Sequence, residues 1–142
     1  MTASGLFSAF NLIALAGWLV LAAGVLLKRS FLRDNVAGHW LPVVLSTGYA
    51  ALILLFFAGA EGGFDTLDNV QKLFTSPWAA LAGWVHYLAF DLWMGSRIAR
   101  ESETLGLPRW QLIGLLPLTF LFGPMGYLAF EAIKAAAKGA KA

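Results

Sequence analysis

The sequence contains no cysteine. Disulfides, thiolate metal sites and cysteine nucleophiles are excluded with it. Charge is nearly as scarce: 13% of the 142 residues are Asp, Glu, Lys or Arg, against roughly 25% in globular domains. A water-soluble fold needs more charge than this to cover its surface. Histidine occurs only at positions 39 and 86, so a multi-histidine metal centre cannot be built. A single site from His39, His86, Asp91 and Glu131 would have to draw on span edges, and no bound metal is expected. There is no glycine-rich phosphate loop and no serine in a nucleophile-elbow context. Met1 to Gly5 carries no positive charge, and the apolar run after it continues to Leu27. A cleaved signal peptide has the opposite pattern, so this run is expected to stay as a membrane helix.

What the chain does have is apolar length. Hydrophobic residues make up 59% of it, and the mean hydropathy is +0.72. Four runs approach the roughly 20 residues that cross a bilayer core, at about 6–27, 40–60, 78–96 and 110–133. The expected fold is an all-α integral membrane four-helix bundle in one transmembrane domain. Its fourth helix should be kinked at Pro117 and Pro124. Between the second and third runs, Phe64, Leu67, Val70 and Phe74 recur at helical spacing. They suggest a short interfacial helix, with a plain loop as the alternative. Trp40, Trp78 and Trp110 stand at run edges, as in an interfacial aromatic belt. Gly17 and Gly24 form a stripe on the first helix that suits tight helix contact.

The basic residues orient the chain and imply no nucleic-acid partner. Lys28, Arg29 and Arg33 fill the first loop, and Arg97, Arg100 and Arg109 the third. The second loop holds Glu61, Asp65 and Asp68 against Lys72. The positive-inside rule then puts the first and third loops in the cytoplasm and both termini outside. The tail lysines, Lys134, Lys138 and Lys141, oppose that assignment.

Within "GWVHYLAFDLWMGSRIAR" (Gly83 to Arg100) two titratable groups interrupt a greasy helix. His86 and Asp91 lie about 140° apart around the helix, so they do not share a face. Tyr87 shares the face of Asp91. An ionised aspartate at this depth costs about 2.5–3.5 kcal/mol even on a lenient insertion scale. Asp91 must therefore meet a partner, face water or carry a proton. A structural lock and a functional site both remain open for it, as do a packed core residue and a ligand role for His86. In "LPLTFLFGPMGYLAF" the two prolines remove backbone donors, and freed carbonyls at membrane depth line cavities or pack on protein.

Together, "WVHYLAFDLWMGSRIARES" and "LPLTFLFGPMGYLAFEAI" resemble the ABA-deficient-four-like family of small four-span membrane proteins. The match runs through Trp84, His86, Asp91, Leu92, Arg97, Thr119, Phe122, Gly123, Pro124 and Gly126. The family's plant members are chloroplast proteins needed to make neoxanthin from violaxanthin. The resemblance implies a carotenoid-like polyene as ligand, held among membrane lipid. It implies cofactor-free isomerisation by general acid/base chemistry, with Asp91 and His86 as the catalytic pair. Ligand contacts then fall to Trp84, Arg97, Thr119, Phe122, Gly123 and Pro124, joined by Tyr87 from the face of Asp91. With no transit peptide ahead of the first run, the expected location is a bacterial plasma membrane. The alternative is a non-catalytic lipid- or pigment-binding protein, or a small subunit of a membrane complex. A homo-oligomer is compatible with either reading.

Overall fold

The computed structural model describes residues 2–139. The described chain is helical throughout, without strands. Helix α1 spans Ala3–Leu26 and is capped by Thr2, whose hydroxyl accepts from the Gly5 N–H. A π-helical segment, Phe31–Trp40, runs without interruption into α2, Leu41–Phe56, and a short 3-10 turn ends it at Gly59. The second helix thus begins nine residues before the expected start at Trp40. Its polar first turns survive because Arg33, only 8% exposed, is held by Asp34 at 2.7 Å and by Glu103. Helix α3, Leu67–Thr75, is the short helix expected between the second and third runs, capped by Thr66. Its Leu73 turns inward, while Phe64, Leu67 and Phe74 stay exposed. Exposed apolar residues alongside Asp68 and Lys72 are what an interfacial helix presents.

Helix α4, Pro77–Thr104, starts with Ser76 as cap and Pro77 at its first position, where a missing N–H costs little. It is the hub of the bundle, contacting α1, the π-segment, α2, α3 and the last helix. Twelve of its residues are buried, among them Val85, Leu88, Leu92 and Ile98. Glycines on α1 let α4 and the π-helical segment come close. A methyl group on Gly17 would fall 2.5 Å from a Leu92 methyl, and one on Gly24 would fall 2.7 Å from the Arg33 nitrogen. The stripe read from the sequence is thus a packing surface. Three helical stretches, Ala3–Leu26, Phe31–Gly59 and Trp110–Ala137, are long and apolar enough to cross a membrane. Leu12, Leu19, Leu54, Leu55 and Leu128 point outward from these helices, each more than 60% exposed. Such a surface fits lipid rather than water.

Helix α5, Trp110–Gly139, departs from the expected kinked rod. Drawn straight, 30 residues would extend about 45 Å. Here the chain breaks at Phe122 (φ −143°, ψ 42°), the one non-helical residue inside it, and doubles back. Three contacts along α4 establish this. Leu112 lies beside Ala99 and Ser102. Leu121 is reached by the Tyr87 hydroxyl at 2.8 Å. Lys134 then returns to Glu101 at 2.9 Å. The first arm (110–121) descends to the middle of α4, and the second arm (123–139) climbs back to the same end. The expected kinks at Pro117 and Pro124 are replaced by one sharp turn between them. Pro124 occupies the start of the second arm, where proline is tolerated. Gly126 makes the turn possible: a methyl there would fall 2.6 Å from the Thr119 Cα, seven residues earlier.

Candidate functional site

Asp91 stands on α4 opposite the tip of the α5 hairpin. It is 8% exposed, and its Oδ2 is buried with no hydrogen-bond partner. The carboxyl lies flat against the backbone of Gly123, where a methyl would fall 2.7 Å from the Asp91 Cγ. Any side chain there would have to displace the carboxyl. One turn earlier, the Tyr87 hydroxyl donates to the Leu121 carbonyl at 2.8 Å and lies 3.4 Å from that of Phe120. Pro124 has no N–H to offer the Phe120 carbonyl, and the break at Phe122 releases the one at Leu121. Tyr87 therefore closes the end of the first arm. At the tip the site combines a carboxyl group, a phenol and two freed carbonyls in otherwise apolar surroundings. The carboxyl can donate or accept a proton, and its oxygens and the freed carbonyls can accept hydrogen bonds.

Beside this point runs an apolar groove between α1 and the first arm, about 630 Å³ in volume. Leu15, Leu19, Leu26, Ile113, Leu116 and Pro117 line it, with Arg109 at its outer end. Two rings, Trp18 and Phe120, form its inner end and meet edge to face at 5.4 Å. Trp18 also packs on Gly95, where a methyl would fall 2.5 Å from the indole. Gly95 lies one turn beyond Asp91 on the same helix face. Asp91 itself is not part of the groove lining.

The remaining residues expected at a site are spread over several surfaces. His86 is exposed and packs edge-on to Tyr49 at 5.4 Å and against Phe90 at 4.8 Å. It does not join Asp91. Trp84 is 39% exposed and donates its indole N–H to Asn11 Oδ1 at 3.1 Å. Arg97 lies over the Trp93 ring at 5.8 Å, pointing away from Asp91. Thr119 is fully buried, but its hydroxyl donates to the Leu115 carbonyl in its own helix. Phe122 is 55% exposed, Gly123 touches Asp91, and Pro124 opens the second arm. Among the described residues, no three of His, Asp and Glu come together, so His39, His86, Asp91 and Glu131 form no cluster.

The residue pattern that frames this geometry also matches a known family. Residues 5–130 match the family described as ABA DEFICIENT 4-like. The chain belongs to that family. No curated protein and no solved structure matches it. In this ABA DEFICIENT 4-like protein the matched segment takes in α1 to α4, the Asp91–Gly123 contact and the whole hairpin tip. Sequence reasoning missed the wall residues of the groove on α1, Leu15, Leu19 and Leu26. Their positions look like ordinary lipid-facing leucines, and only the splaying of α1 from α5 turns them into a wall.

Proposed function

We propose that the protein holds an elongated apolar ligand of the carotenoid-like polyene class in the α1–α5 groove, with Asp91 as the polar group that meets it. The observation that carries this reading is the buried, unpartnered Asp91 Oδ2 just behind the groove's inner end. An uncompensated acid in an apolar interior is a functional candidate by default. From Leu15 to Leu26 the wall extends about 16 Å along α1, a slot for part of a polyene rather than for a compact solute. Movement of the Trp18 and Phe120 rings would join slot and carboxyl.

The chemistry assigned here is cofactor-free isomerisation. Asp91 gives its proton to an epoxide oxygen, and the carbon–oxygen bond opens. The resulting carboxylate removes a proton from the adjacent polyene carbon. Protons and electrons balance, and Asp91 serves as acid and then as base. Tyr87 positions the freed carbonyls beside it. His86, on another face, takes no part. The second reading, a non-catalytic lipid- or pigment-binding protein or complex subunit, is favoured by that same separation of His86 from Asp91.

In the membrane, α1, α2 and α4 would cross, and α5 would enter halfway and leave by the same side. This places Lys28, Arg29, Arg33, Arg97, Arg100, Arg109 and Lys134 together at one end, with Lys72 at the other. Of the three tail lysines, Lys134 then no longer opposes the positive-inside rule, while Lys141 lies outside the described residues.

The test is an absorption spectrum of protein purified in mild detergent from carotenoid-producing cells, followed by product analysis. A vibronic polyene band is expected, and colourless protein from such cells overturns the binding reading. Asp91→Asn should keep the band and lose the product. Product at the wild-type rate removes Asp91 from the chemistry.

A further inference from the structure

At the end of the bundle where α1 and α4 finish and α5 begins lies a second cavity, about 210 Å³ in volume. Its lining includes Lys28, Arg33, Ser102, Glu103 and Arg109. Arg33 is already satisfied by Asp34 and Glu103. Lys28 and Arg109 have no ion-pair partner among the described residues. Ser102 is 2% exposed, and its buried hydroxyl has no hydrogen-bond partner. Buried polar atoms are almost always paired, so an unpaired hydroxyl on a residue beside a cavity is a candidate donor to a ligand atom that reaches it. Gly106, at φ +68°, turns the chain so that the Leu107 N–H reaches the Ser102 carbonyl at 2.9 Å, the usual glycine closure of a helix. Lys28, held at φ +56°, ends α1 with the Arg29 N–H on the Gly24 carbonyl at 2.8 Å.

This cavity and the apolar groove adjoin, since Val25, Arg109 and Leu112 line both. A basic head-sized space beside an apolar slot suits the shape and charge of an anionic amphiphile. We infer that the cavity binds the phosphate group of an anionic membrane phospholipid, with one acyl chain lying in the outer part of the groove. Lys28 and Arg109 supply the charge, the guanidinium gripping two phosphate oxygens. Ser102 donates its hydroxyl to a third. Basic pockets between membrane helices take lipid headgroups by this chemistry. The acyl chain and the polyene proposed above would exclude one another in this groove, so the polar lining of the cavity carries the inference.

Trp110, 69% exposed and part of the groove wall, reports occupancy. The full chain in mild detergent is titrated with phosphatidylglycerol, with diacylglycerol, and with inorganic phosphate, following tryptophan fluorescence. Phosphatidylglycerol should bind at least ten-fold more tightly than diacylglycerol. Lys28→Gln with Arg109→Gln should remove that preference, and Ser102→Ala should weaken it several-fold. Both basic residues are exposed, so the double variant keeps its fold, which circular dichroism checks. Equal binding of the two lipids, or a preference that survives the double variant, overturns the site. Inorganic phosphate displacing the lipid at equal affinity overturns the lipid assignment in favour of a soluble phosphate.

Discussion

Lys134 Nζ lies 2.9 Å from Glu101 Oε1 and 2.6 Å from Glu131 Oε1, which ties the second arm of α5 to the same end of α4 where the first arm begins. The contact joins residues 33 apart in sequence. It adds to the apolar packing of Leu112, Leu115, Leu116 and Phe130, which bury the hairpin against the core.

The hairpin fixes which side each end of α5 reaches. Because the chain has no native cysteine, single cysteines give a clean readout with an impermeant thiol reagent. Pro108→Cys and Ala136→Cys should be labelled from the same side of the membrane, and Glu61→Cys from the other. Ala136→Cys labelling together with Glu61→Cys would mean that α5 crosses and the hairpin is wrong.

Gly123 has no room for a side chain beside Asp91. Gly123→Ala should destabilise the protein by about 1–3 kcal/mol, the usual cost of overpacking. Thermal unfolding measures this. Combining it with Asp91→Ala should recover part of the loss, because the two sites touch and their effects do not add. Strict additivity would show that the contact is absent.

Tyr87→Phe keeps the ring and deletes the donor to the Leu121 carbonyl. The expected loss is about 1 kcal/mol, seen as a lower unfolding temperature. A hydroxyl that closed nothing would leave the midpoint unchanged.

At the exposed end of α4, hydrogen bonding from Arg33 holds the Glu103 carboxyl below its ordinary range, with the guanidinium charge adding to it. A carboxyl depressed in the folded state stabilises above its unfolded value, about 4.3, and loses that contribution as pH falls through the lower folded value. Wild type should therefore unfold at a higher temperature than Glu103→Gln at pH 7, and the difference should close towards pH 3. Since Glu103 is exposed, the difference should be small. A gap independent of pH would dissociate it from the ion pair.

Much of this architecture can be read along the chain. Apolar runs mark α1 and α2 because their hydropathy is local. The sequence places α3 through the spacing of Leu67, Val70 and Phe74. Asp91 stands out because an acid in an apolar run is rare. The direction of the second half of α5 is not legible in this way. A run from Trp110 to Ile133 reads as one span whether it continues or folds back, since hydropathy carries no angle. Pro117, Gly123, Pro124 and Gly126 announced a break, and Lys134 hinted at where the chain returns. The pairing of Arg33 with Glu103, 70 residues apart, left no local trace, so the π-segment was read as a loop.

In the membrane arrangement proposed above, a hairpin that stops halfway would also make the molecule wider in one leaflet than in the other. Both arms of α5 thicken it on the basic side, while beyond the tip Leu121, Phe122 and Met125, each more than half exposed, face the remaining lipid. Such a wedge displaces unequal numbers of lipids from the two monolayers, so curvature of the host bilayer bears directly on how comfortably the protein sits in it.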